Sequence, residues 1–354
     1  MRQFLLTLDY ELYGDGSGDV FCDVIEPTER LISYFDENNI KVTIFVEMVE
    51  FLRMKQAWSK GNNMGYDFNP YEAVVSQIQK IYSHGHDVQL HIHPQWVDAK
   101  YENGKWHVDN KNWILGLFDR VGDVTLKSLL QCCKNELEAM VRPIDPNYQC
   151  LALRAGGYNV QPSRRLVEAM TAVGLKLDSS VVPGAVQKGT QARYDFSCCN
   201  PRLDYWQVDD TLENPAQTNS GLYELPLTSM PLCRFLKLFS RARMKAILKN
   251  SSSAKSNFND KVNTSRGNSF VQKAKYLFET EYITWDFCLM HRVMHRKFIK
   301  HTLGKAIIVL VGHPKGFSTI DTIKSLVDLT GNDATFSTVT QLYRMINNGN
   351  ESGN

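Results

Sequence analysis

The sequence predicts an α/β fold, a single βα barrel of roughly seven strands. Three observations carry that expectation. Short runs rich in Val, Ile and Leu alternate with helix-length amphipathic stretches, the rhythm of parallel strands joined by crossover helices. Several of these runs stop at a titratable residue, as strands do when their ends face a site. The chain has 354 residues, 43% of them hydrophobic, enough for one barrel-sized domain.

The first run, QFLLTL, is an apolar strand ending at Asp9, and a helical pattern follows from about Thr28 to Asn38. KVTIFV at 41–46 is short and β-branched, so it reads as a buried strand. GNNMGYDFNP is loop; a helix over Tyr71–Ser83 leads through Gly85 into the strand HDVQLHIH. Asn103-Gly104 predicts a tight turn inside a turn-rich excursion. A periodic stripe predicts a helix over Thr125–Met140, and CLALR is the next strand. Pro162 and Gly174 bracket a further helix. LKLDSS, GLYELPL and KAIIVLVGH continue the strands, and a last helix over Val339–Ile346 has Ser337 or Thr338 to cap it. The expected organisation is one domain over 1–354 with a basic insertion at about 231–280.

Forty Lys and Arg against 38 Asp and Glu leave a formal charge of +2. This is a cancellation. Nine cations and only Asp260 fall between Arg234 and Arg266, so the remainder is mildly acidic. The segment reads as a solvated insertion or, alternatively, as a contact surface for an anionic lipid, a polyphosphate-bearing substrate or a partner. Overall charge and the lack of an aromatic stacking series argue against nucleic acid. No run of about 18 apolar residues suggests a membrane span, and the first residues do not resemble a cleavable signal peptide. A cytoplasmic protein with peripheral membrane contact through 234–266 is the expectation. The eight cysteines form neither a CxxC knuckle nor a disulfide framework, which fits a reduced interior.

Four of the nine histidines lie within SHGHDVQLHIHPQW. In a strand, His91 and His93 project from the same face, close enough to share one metal. Neutral imidazole suits Zn, Ni, Fe or Co, with a carboxylate to complete the set. Asp9 and Glu11 are also two apart and can face one site; alone they would mark an ordinary strand boundary. Asp87 has the parity of His91 and His93 and could orient a ligand histidine. His313 ends another apolar run and could donate a proton or steady an oxyanion. Arg154 occupies an equivalent strand end and could grip Asp9, or serve as a fold-stabilising ion pair.

In this order the residues resemble the polysaccharide deacetylase family with the NodB homology domain, in a divergent variant. Thr7-Leu8-Asp9-Tyr10-Glu11 stands where that family has Thr-Phe-Asp-Asp-Gly. Gly85-His86-Asp87-Val88-Gln89-Leu90-His91 resembles its Gly-His-Glu-hydrophobic-Gly-Asn-His motif, with Gln95 where a second His is usual. Arg154-Ala155-Gly156-Gly157 resembles the Arg motif, and Leu310-Val311-Gly312-His313 the final Leu-x-His motif with one extra residue. Asp178-Ser179-Ser180 sits where the family has a strand-end Asp. Tyr10 and Gln95 depart from the pattern; Glu11 and His93 keep the same faces and compensate.

The resemblance implies a deformed (β/α) barrel and a metal-dependent hydrolase that removes an acetyl group from an N-acetylated sugar, in surface polysaccharide biosynthesis. It implies a divalent metal, zinc first and Ni, Co or Fe as alternatives, held by Asp9 or Glu11 with His91 and His93. Asp9 would be the base, Arg154 and Asp178 would tune it, and His313 would protonate the amine. Trp96, Trp113 or Tyr158 would wall a sugar. The expected partner is an N-acetylated sugar or a nucleotide- or lipid-linked glycan precursor. Other readings stay open: a catalytically silent glycan-binding or assembly protein, a related amidase or esterase, and a metal-dependent glycoside hydrolase.

Overall fold

The computed structural model describes residues 2–216, 221–233, 278–331 and 334–351. Among them, nine strands form the main sheet. These are β1 (Arg2–Tyr10), β2 (Thr43–Glu47), β3 (Asp87–Ile92), β4 (Ala152–Ala155), β5 (Leu177–Asp178), β6 (Trp206–Gln207), β7 (Tyr223–Glu224), β8 (Ile307–Gly312) and β9 (Ala334–Phe336). The order across the sheet is β6-β7-β5-β4-β3-β2-β1-β8. β9 lies beside the first residues of β1, on the edge that β2 takes over further along. Every pairing is parallel except that of β6 with β7.

The sheet curls but its ladder does not close, and this corrects the expectation of a barrel of roughly seven strands. Between β7 and β8 the chain crosses the gap as irregular backbone. The Leu225 N–H donates to the Asp178 carbonyl at 2.8 Å, and the Thr228 N–H donates to Val309 at 2.9 Å. Pro226 has no N–H to offer in that stretch, so the run GLYELPL cannot continue as a strand. The result is an open sheet of eight strands in path, with β9 off it.

Helices cover the outer face: α1 (Glu26–Glu37), α2 (Met48–Ser59), α3 (Pro70–Ser83), α4 (Leu126–Val141), α5 (Arg164–Ala172), α6 (Arg292–His301) and α7 (Asp321–Thr330); an eighth, α8 (Val339–Glu351), closes one end. Alternation along the strands separates two environments. Leu8, Tyr10, Ile44, Val46, Val88 and Leu90 are buried at even positions. Tyr10 shows where these point: its ring packs on Phe51 of α2, and its hydroxyl donates to Gln77 of α3. The odd positions of β1 to β3 are also buried but largely polar: Thr7, Asp9, Thr43, Glu47, Asp87, Gln89 and His91. The concave side of the sheet is therefore a hydrogen-bonded polar interior.

Its lower end is plugged by α8. The Val339 and Thr340 N–H groups donate to Thr43 Oγ1 (2.9 Å) and Asp87 Oδ2 (3.0 Å). Thr338 caps this helix, accepting from the Gln341 N–H while the Gln341 side chain accepts from the Thr338 N–H. Asn103 and Gly104, at φ 53° and 75°, turn a hairpin as expected. The sequence reading missed α2, α6, α7, β6 and β9. The basic insertion falls mostly on 234–277, outside the described residues, as does the contact surface expected at 234–266. No helix among the described residues is long and apolar enough to cross a membrane.

Candidate metal centre

The titratable residues singled out at strand ends, except Asp87 and Asp178, gather where the parallel strands finish. Register does this. Glu47, His91 and Arg154 lie on one rung across β2, β3 and β4. Asp9 and Glu11 leave the end of β1, His93 follows β3, and His313 follows β8.

Glu11 is the hub. Its Oε2 lies 3.4 Å from His91 Nε2 and 3.0 Å from His93 Nδ1, and its Oε1 lies 2.9 Å from Lys315 Nζ and 4.0 Å from His313 Nε2. The His91 ring is held by its other nitrogen, Nδ1, 2.8 Å from the Arg154 carbonyl. A carbonyl only accepts, so Nδ1 carries a proton, and in the neutral ring it is Nε2 that presents a lone pair. That Nε2 is buried and has no hydrogen-bond partner, while a carboxylate oxygen faces it. A lone pair facing an anion in a dry site is unfavourable unless a cation lies between them. His93 Nδ1 also lies 3.0 Å from Glu47 Oε2, and Glu47 is itself fixed by accepting from the Val49 N–H at the start of α2. A side chain at Gly156 would collide with the His93 ring, so the backbone of β4's end forms one wall.

Among the described residues two donor groups could hold a metal ion: Glu11, His91 and His93, and Asp9, Glu11 and His313. One carboxylate with two imidazoles is a donor set suited to a divalent transition metal. The chemistry fits the expected cofactor without selecting one metal. Asp9 groups with His313 rather than with His91 and His93.

Asp9 is held on one side by Arg154. That guanidinium is fully buried; Nη1 donates to Asp9 Oδ1 (2.7 Å) and Thr7 Oγ1 (2.8 Å), and Nε and Nη2 donate to the Ser179 carbonyl and hydroxyl. It also stacks over Phe45, 4.1 Å from the ring centre. The other Asp9 oxygen lies 3.5 Å from His313 Nε2, and His313 Nδ1 lies 3.0 Å from Asp286 Oδ2. Thus Asp286, His313 and Asp9 form a line, the middle member of which is 24% exposed.

The electrostatics follow. Burial works to raise the Asp9 carboxyl, but Arg154, His91 and His313 outweigh it and the net shift is downward. Glu11 is likewise pushed up by burial and brought well below the carboxylate range by Lys315 and the two histidines. Burial disfavours a charged His93, yet Glu11 and Glu47 raise it to about 10. His313 is raised against burial, chiefly by Asp286. Glu50, which accepts the Leu12 N–H, is pushed up by burial and by Glu47 and Glu11.

Two expected residues lie elsewhere. Asp87 starts β3, at the opposite end from His91, and binds Thr43, Gln89 and the first turn of α8. It organises the plug. Asp178 accepts from the Ser180 N–H and hydroxyl, and burial beside Glu224 of β7 raises both carboxyls. Its link to the centre is the field of Arg154. Trp96 is fully buried core and Trp113 abuts Gly14, while Tyr158 lies within reach of the Asp9 field. Glu47, Asp286 and Lys315 were not anticipated. Glu47 carried the same signal as Asp9, a carboxylate closing an apolar strand.

No protein-family model matches the chain, and no curated protein sequence matches it. Solved structures resemble it at low identity. A presumptive polysaccharide deacetylase from Mycobacterium smegmatis is 12% identical, with 98% of this chain and 91% of that one covered and a TM-score of 0.47. The PuuE allantoinase is 12% identical over 97% and 89%, with a TM-score of 0.46. The catalytic domain of a peptidoglycan N-acetylglucosamine deacetylase from Eubacterium rectale is 12% identical over 95% and 87%, with a TM-score of 0.36.

Proposed function

We propose that the chain is a metal-dependent hydrolase of carbon–nitrogen amide bonds, of the polysaccharide deacetylase type, acting on an N-acylated sugar. The observation that carries this reading is the partnerless His91 Nε2 facing Glu11, with the Asp286–His313–Asp9 line beside it. Glu11, His91 and His93 would hold the metal, zinc being the first candidate. Once bound, the metal would polarise the amide carbonyl and make water a better nucleophile near neutral pH.

The protein's own residues supply the proton traffic. Asp9, ionised and oriented by Arg154, takes a proton from the attacking water as its oxygen bonds to the carbonyl carbon. His313, kept protonated by Asp286, gives a proton to nitrogen as the C–N bond breaks. A carboxylic acid and a free amine result. A nucleotide- or lipid-linked glycan precursor of a surface polysaccharide is the substrate class we favour, with the basic segment 234–266 as the surface for its anionic carrier or for a membrane.

A catalytically silent glycan-binding protein is the second reading, and Lys315 favours it by already placing a cation 2.9 Å from Glu11. The deciding experiment is an acetate-release screen over UDP-linked and lipid-linked N-acetyl sugars with added divalent metals. Wild type should release acetate. Asp9→Asn should not, although folded, and His91→Ala/His93→Ala should retain no stoichiometric metal. Full release by Asp9→Asn, or equal metal in both proteins, would overturn the reading.

A further inference from the structure

A cavity of about 210 Å³ opens at the same end of the sheet as the metal centre. Its walls come from the segments after β4 and β5, from the paired strands Ser229–Cys233 and Thr280–Thr284, and from the approach to α6. Val182, Ala185, Leu232, Ile283, Met290 and Met294 line it. The lining is more apolar than polar, with Gln187, Thr284 and Asp286 as its non-aromatic polar members, and the methionines can adapt to different shapes. Its size exceeds an engineered cavity of roughly 150 Å³ that holds benzene.

Two lining residues tie the cavity to the centre. Asp286 stands in its wall and binds His313 Nδ1, so cavity and acid–base line share one side chain. Tyr158, also in the wall, sits at φ 63° directly after Gly157 at φ 57°. Such a backbone is rare for an aromatic residue and is found where a site dictates it. An acetyl methyl beside a hydroxylated sugar would leave most of this space, and its apolar walls, unused. A mostly apolar cavity with a few polar groups, next to titratable residues, is the arrangement of a small-molecule site.

We infer that the amide substrate carries an apolar group about the bulk of a substituted benzene ring, and that this group seats in the Val182–Met294 cavity. The inference rests on the amide-hydrolase reading and narrows its substrate class. The group could belong to the acyl half or to the amine half of the substrate; both present the same chemistry to the walls.

The test uses the full chain and four probes. N-acetyl-, N-hexanoyl- and N-benzoylglucosamine vary the acyl half, and phenyl N-acetyl-glucosaminide places the ring on the amine half. Binding is read by ligand-observed NMR with chelator-treated protein, and amine release is read separately with added zinc. Binding at least tenfold tighter than N-acetylglucosamine is expected for the probes whose apolar group lies in the correct half. Ala185→Phe and Met294→Trp fill the cavity from two different segments and should each weaken that binding at least fivefold. Equal binding of all four probes to wild type overturns the inference without any variant. So does unchanged binding in either variant that melts as a folded protein. Cavity binding without amine release from any probe would instead count against the hydrolase reading and leave the subsite standing.

Discussion

Arg154→Met removes a charge that the interior depends on. Arg154 is fully buried and its guanidinium satisfies Asp9, Thr7 and both oxygens of Ser179. A methionine fills similar volume and offers no donor. Breaking a buried pair costs about 3–5 kcal/mol, because one charge stays behind in a dry site. The orphaned Ser179 carbonyl alone would add about 1–3 kcal/mol, partly overlapping the first cost. A loss of about 4 kcal/mol is expected in urea unfolding at pH 7.5 with chelator present. The pH dependence has a definite sign. In wild type Asp9 lies below its unfolded pKa, so its stabilisation is present above about pH 4 and is lost as pH falls through the folded value. In the variant the burial that raises Asp9 loses its main opponent. The resulting penalty is present at neutral pH and fades as the carboxyl protonates on acidification. The difference between the two proteins should therefore narrow from pH 7.5 to pH 4.5. Asp9→Asn/Arg154→Met should recover at least about 2 kcal/mol relative to Arg154→Met at pH 7.5. A loss below about 1 kcal/mol, or no recovery in the double variant, would refute the assignment of Arg154 as the counter-charge of Asp9.

The other expectations concern the metal and the protons around it. His93, raised to about 10, must lose its proton to bind a metal, so calorimetry in buffers of different ionisation enthalpy should show about one proton released at pH 7.5. Metal affinity should fall as pH is lowered, and a pH-independent affinity would refute this. Lys315→Met removes a cation from beside Glu11; zinc affinity should rise on the order of tenfold, and an unchanged or weaker affinity would show that Lys315 instead holds Glu11 in place. Asp286→Asn removes the carboxylate that chiefly raises His313, so the alkaline limb of kcat/KM should move to lower pH. An unmoved limb would exclude His313 as the acid.

Much of the centre was legible because strand ends announce themselves. Asp9, His91, Arg154 and His313 each close or follow a short apolar run, and in a parallel sheet those ends converge at one rim. Asp87 shows the limit of parity. It shares a face with His91, but four residues of strand separate them, roughly 13 Å, so it serves α8 instead. Glu47 was missed because α2 begins at the next residue. No glycine, proline or polar loop separates strand from helix, and the carboxylate that ends β2 doubles as the helix cap. Asp286 lies in the apolar stretch ITWDFC, where only the bridge to Val311 of β8 brings it behind His313. The open ladder was hidden as well, since Pro226 interrupts a run whose hydropathy reads as continuous strand.

The charges left at the centre explain why such a polar interior can fold at all. Asp9, Glu11 and Glu47 are buried within one cluster, an arrangement that self-repulsion would oppose in isolation. Each has a cationic partner: Arg154 on Asp9, Lys315 on Glu11, and a protonated His93 between Glu11 and Glu47. Two of these three partners are permanent, or nearly so, and one is exchangeable. Arg154 and Lys315 remain in place when a divalent ion arrives, whereas the His93 proton can leave. An incoming +2 ion therefore replaces a +1 proton, and the carboxylates never face one another uncompensated. This makes Glu11, shared between Lys315 and the two histidines, the residue whose position decides whether the centre is a metal site or a salt-bridged core.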